Sequence, residues 1–194
     1  TTFVDFVAKS GTPKMTVVRQ AKSQYGEYKP SRDFWRHLRD RIIEYHETSQ
    51  PDKNFIDGAL ALVSDRNRLN NYPAAIQQYK KFIGNKDIKW FDPPKTDWLN
   101  DELAIKINPE LGLEWGDKKH IIKLYFKKEH LSKMKADLVT TLLQNSLPCE
   151  PSIYDYCVLD IQANKLYSSN NAQPNLMPLL IGEAQSFINI WNNI

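Results

Sequence analysis

Residues 102–127 read ELAIKINPELGLEWGDKKHIIKLYFK, and their alternation decides the fold. Leu103, Ile105 and Ile107 alternate with Ala104, Lys106 and Asn108. Leu111, Leu113 and Trp115 alternate with Gly112 and Glu114, and His120, Ile122, Leu124 and Phe126 with Ile121, Lys123, Tyr125 and Lys127. A period of two means successive side chains on opposite faces, so the stretch predicts three strands, each with one apolar face. Gly116-Asp117 suits a two-residue hairpin loop. That turn sets Trp115 opposite Lys118, Glu114 opposite Lys119, Leu113 opposite His120 and Glu110 opposite Lys123. A three-residue loop Asn108-Pro109-Glu110 would then align Ile105 with Leu113 and Leu103 with Trp115. Both registers keep the apolar sets on one face, which a slip of one residue would destroy.

Downstream, residues 130–145 carry Leu131, Met134, Leu138 and Leu142 at helical spacing, predicting a helix that covers this sheet. Tyr156, Cys157, Val158 and Leu159 are apolar on both faces and predict a central fourth strand. Asp160 to Lys165 reads as a turn into Leu166-Tyr167. A last helix runs from about Leu176, with Pro178 early and Leu180, Ala184, Phe187 and Trp191 along one side.

Upstream, the periodicity is helical. Thr12-Pro13 starts a helix with Met15, Val18 and Tyr25 inward. Ser31 caps a stronger one whose stripe is Phe34, Trp35, Leu38, Ile42 and Tyr45. A third follows Pro51 with Phe55, Ala59, Leu62 and Val63 as its core face. A fourth begins at Pro73, uses Ile76, Tyr79, Phe82 and Ile83, and ends at Gly84. The intervening IKWFDPPKTDWLN, residues 88–100, reads as a long loop packed down by its aromatic residues. The expected architecture is α+β in one domain over 1–194. An N-terminal helical layer (1–84) packs with a twisted, mostly antiparallel sheet covered by two C-terminal helices (88–194).

Bulk properties bound the function. The 194 residues are 41% hydrophobic and 25% charged, ordinary for a globular chain large enough to bury its own core. No apolar run approaches the ~20 residues of a membrane span, and TTFVDFVAKSG, with Asp5, lacks the pattern of a secretory leader. Cys149 and Cys157 are too few for a disulfide scaffold and predict reduced thiols in the cytoplasm. Motifs for phosphate-loop, dinucleotide, zinc-protease, CxxC and GxSxG chemistry are all missing, and the four histidines stand far apart. No cofactor and no metal site are expected.

Charge is uneven. From Asp117 to Lys135, seven lysines (Lys118, Lys119, Lys123, Lys127, Lys128, Lys133, Lys135) face two acids, a net of +5. The whole chain is +3, so the remainder carries −2. Such a segment can attract nucleic acid or an acidic protein, and it makes a non-catalytic binding protein with a basic face the leading expectation.

A second expectation comes from the other face of the strands, where Lys106, Glu114, Lys123, Tyr125 and Lys127 point one way, with Glu110 nearby. Three meander strands, a helix and a further strand are similar in order to the core of the PD-(D/E)XK nuclease superfamily. The resemblance implies metal-holding acids on the second and third strands and a lysine two residues after the latter acid. Glu114 and Lys123 match, while Ile121 stands where that motif has an acid. On this reading Glu110, Glu114, Lys123 and Asp160 form a degenerate phosphodiester hydrolase site. A third possibility is a small-molecule pocket lined by Trp90, Trp98 and Tyr125.

Overall fold

The computed structural model describes residues 2–26, 33–170 and 175–194. The fold is α+β, a five-stranded mixed sheet with helices on both faces and a separate two-stranded ribbon. In chain order the elements are α1 (Thr2–Val7), α2 (Thr12–Ser23), α3 (Arg36–Glu47), a 3-10 helix (Lys53–Leu62), α4 (Arg66–Ile83), β1 (Lys89–Phe91), β2 (Thr96–Asn100), β3 (Leu103–Ile107), β4 (Leu111–Trp115), β5 (Lys118–Tyr125), α5 (Lys133–Ser146), β6 (Tyr154–Asp160), β7 (Lys165–Ser168) and α6 (Met177–Asn193).

The β4–β5 hairpin has the register its turn dictates: Trp115 faces Lys118, Glu114 faces Lys119 and Leu113 faces His120. Gly116 sits at φ 61° in the first turn position, which a side chain would strain. The first strand of the expected meander lies elsewhere. β3 pairs with β2, Ile105 opposite Trp98, so neither Ile105–Leu113 nor Leu103–Trp115 forms. The free edge of β4 is taken by β1 instead, Phe91 opposite Gly112. A Cβ on Gly112 would come 2.2 Å from the Phe91 carbonyl oxygen and 2.6 Å from its ring. Glycine at 112 is what lets β1 approach. Residues 88–100, expected as loop, thus supply two strands.

β6 joins β5 in parallel after the α5 crossover, giving the order β1-β4-β5-β6-β7. Leu111, Leu113, Ile122, Leu124, Cys157 and Leu159 turn to one face, against α3, the 3-10 helix and α4. Ile121 and Tyr156 turn to the other, against α1, α5 and α6. The expected polar face therefore does not exist as a solvated surface: Tyr125 is only 6% exposed, and Lys106 belongs to the ribbon. The N-terminal helices likewise divide, with α1 in the α5–α6 layer.

Local chemistry explains the other departures. α4 begins at Arg66, because Asp65 caps it by accepting from the Arg68 amide at 2.9 Å. Pro73 lies inside that helix on its exposed side, where water can reach the carbonyl it frees. The segment after Pro51 winds with three residues per turn, which buries Ile56 and Ala59 and leaves Leu62 exposed. Met134 and Tyr25 are exposed too, and Trp191 is half-buried. The Ser31 cap lies outside the described residues.

One ion cluster ties α1 to the C-terminal half. Asp5 meets Lys127 at 2.5 Å and Lys135 at 3.3 Å, and Lys135 also lies 3.6 Å from Glu129. Burial pushes the Asp5 carboxyl pKa up, but the two lysines outweigh it and hold it below the usual 3.8. Lys135 is 9% exposed, so Asp5→Asn leaves a largely buried ammonium with one distant acid. The variant should lose roughly 1–3 kcal/mol in urea denaturation at neutral pH. The contribution is present above pH 3.8 and fades as pH falls through the lowered folded value. An unchanged midpoint at pH 7 would dismiss the cluster as a passive surface feature.

Candidate functional site

The residues proposed for chemistry do not form one site. Glu110 and Lys123 meet at 2.7 Å beside the start of β4. Glu110 accepts from Lys123 through one carboxylate oxygen and from the Leu124 amide through the other, at 2.7 Å each. Lys123 also donates to the carbonyl and side-chain oxygens of Asn108, at 2.8 and 3.1 Å. Those bonds use all three ammonium protons and lock the residue 108–110 connection onto β5.

Glu114 and Asp160 stand apart from each other. Glu114 is level with Lys119 on β5, while Asp160 is level with Tyr125, six positions along. At about 3.3 Å per residue that is roughly 20 Å, far beyond a shared metal ion. Asp160 is fully buried and accepts from the Leu131 amide at 2.8 Å and the Ala163 amide at 3.1 Å, tying its own turn to the connection between β5 and α5. Among the described residues no group of three or more His, Cys, Asp or Glu side chains could hold a metal ion.

The seven lysines do not share one surface. Lys118 and Lys119 follow the hairpin turn on β5, and Lys119 lies over the rings of Phe91 and Tyr154 at 5.9 and 5.8 Å. Lys127, Lys128, Lys133 and Lys135 follow the far end of β5, about 23 Å away. Lys123, Lys127, Lys133 and Lys135 are in ion pairs, with Glu110, Asp5, Asp137 and Asp5 in turn. Lys118 and Lys128 are exposed. The three aromatic residues of the pocket reading also separate. Trp90, Trp98 and Tyr125 join three different clusters and line neither described cavity.

What does converge is a half-open cavity of about 320 Å³ between α1, β3, α5 and the end of β5. Arg39, Lys106 and Lys123 supply three cations to its lining, against the single acid Glu110, which Lys123 already neutralises. Arg39 reaches it from α3 on the opposite side of the sheet. Burial works against the Arg39 charge, but Asp33 at 2.7 Å, with Glu110 and Asp40, raises its pKa further. Lys106 is exposed and has no ion-pair partner within 4 Å among the described residues. A smaller cavity of about 190 Å³ is lined by Lys133, Asp137, Lys165 and Tyr167.

The alternation puts Lys106 and Lys123 on a common face, but through a strand pairing that does not form. Arg39 gave no local signal, since it reads as one charge on an amphipathic helix. No known family, curated protein or solved structure matches this chain. Among the described residues no helix is long and apolar enough to cross a membrane.

Proposed function

We propose that this is a non-catalytic binding protein that takes an acidic partner at the cavity rimmed by Arg39, Lys106 and Lys123. The observation that carries the reading is Lys106, an exposed cation with no acid within 4 Å among the described residues, beside a cavity whose one lining carboxylate is spent on Lys123. Opposite it in the ribbon stands the exposed Asp97. A carboxylate or phosphate entering there gains attraction from Lys106, while Arg39 and Lys123 keep their pairs with Asp33 and Glu110. The hydrolase reading has less support. Its acids are engaged as turn and strand acceptors, and Glu114 lies at the other end of β5. Nucleic acid and acidic protein are the macromolecular sources of such a group. The free thiols Cys149 and Cys157 support a reducing compartment, the cytoplasm.

The test is an amide and methyl NMR titration with acetate, inorganic phosphate, a single-stranded oligonucleotide and a poly-glutamate peptide, at two salt concentrations. At least one anion should shift resonances of Lys106, Asn108 and Lys123, more strongly at low salt. Lys106→Gln should weaken that binding ~5-fold, the scale of one partly solvated charged hydrogen bond. Silence of these resonances toward all four probes would end the proposal.

A further inference from the structure

The same cavity also has an apolar lining. Val4 comes from α1, Ile105 and Ile107 from β3, and Val139, Leu142 and Leu143 from α5. Ile107, Leu142 and Leu143 are 5%, 4% and 3% exposed, so the hollow reaches inward to the edge of the core between α1 and α5. Cations and aliphatic side chains in one lining make a site with two chemistries. A small hydrated ion such as phosphate would satisfy only the first and leave the aliphatic wall wet. A volume near 320 Å³ is at the lower end of small-ligand sites, too small for a folded partner and ample for a short chain.

Resting on the reading that this cavity binds acids, we propose that its ligand is a small amphipathic anion, a carboxylate on a short apolar chain. The carboxylate stays at the rim with Lys106 and Arg39. The chain lies along Ile105, Val139 and Leu142. Lys123, with its three protons committed, contributes charge and fixes the rim but donates no hydrogen bond to the ligand.

The experiment titrates the full chain with acetate, butyrate, hexanoate and octanoate, and with 1-hexanol as the uncharged counterpart. Affinity should climb about threefold or more per added methylene until the cavity is full, then level off. The methyl groups of Ile105, Val139 and Leu142 should shift with the longer acids. Lys106→Gln, an exposed change that spares the fold, should weaken hexanoate several-fold and leave 1-hexanol unchanged. Val139→Phe, which fills the hollow, should bring the plateau to a shorter chain. Should that variant fail to fold, the parent's methyl shifts still decide. Equal affinity from acetate to octanoate would overturn the amphipathic ligand while leaving acid binding intact. So would hexanoate shifts confined to other surfaces, or 1-hexanol binding as tightly as hexanoate. No response to any acid would remove both readings together.

Discussion

Phe6→Ala should cost about 3–5 kcal/mol, as expected when a fully buried aromatic site is emptied. Phe6 has no exposed surface. Its ring meets Phe187 of α6 edge-on at 5.1 Å and lies 6.4 Å from Phe3. α1 has only six residues, too short to hold a helical conformation by backbone hydrogen bonds alone. Its place depends on Phe3, Val4, Phe6 and Val7, all buried against α5, α6 and the ribbon. Removing the ring should therefore loosen the whole helix, and with it the Asp5–Lys135 pair and the Val4 wall of the cavity. Urea denaturation reads the first effect. Hexanoate titration of the still-folded variant reads the second as lost affinity. A parent-like midpoint would mean that α1 docks without its central side chain.

The hairpin shows what alternation can and cannot specify. Gly116-Asp117 fixed one pairing because a two-residue turn leaves a single register: three of the four pairs it sets are in the hairpin, and the fourth, Glu110 with Lys123, meets as an ion pair. For β3 the same alternation was silent about the partner. Both faces of a five-residue strand satisfy the pattern whether it joins β4 or β2. What chose was remote: Gly112 makes room for Phe91, and the Glu110 carboxylate takes the Leu124 amide at the point where the chain leaves the ribbon. Burial of Ile121 and Tyr156 on the second face was readable only in part, since apolar residues on both sides of residues 156–159 already implied two covering layers. The cavity was less legible still. Lys106, Arg39 and Leu142 lie on three elements, and nothing in their spacing along the chain says that they meet. The lysine count was a true property of the sequence. Its meaning changed once Asp5, Glu110 and Asp137 were found holding four of the seven.

Acidification should destabilise the protein between pH 6.5 and pH 4, and His46 should account for about 3 kcal/mol of the loss. His46 sits on α3, 6% exposed, with Nε2 2.7 Å from the Tyr79 hydroxyl and its ring edge-on to Tyr45 at 4.8 Å. Burial alone pushes its pKa from 6.5 down to about 4, with no acid compensating. The unfolded chain therefore takes up a proton near pH 6.5 that the native protein refuses until about pH 4. Stability from this group is complete above pH 6.5, declines through that window, and falls no further once both states are protonated. His120 acts in the same direction: burial lowers its pKa, and Asp155, 4.0 Å away, offsets this only in part. His46→Gln separates the two histidines. Glutamine can still bond the Tyr79 hydroxyl but does not titrate, so the variant keeps only the His120 share of the decline. Chemical denaturation at pH 7, 5.5 and 4 should show the parent losing about 3 kcal/mol more than His46→Gln across the series. Parallel losses in the two proteins would mean that His46 takes up its proton as readily folded as unfolded, and that the Tyr45–Tyr79 enclosure does not keep it neutral.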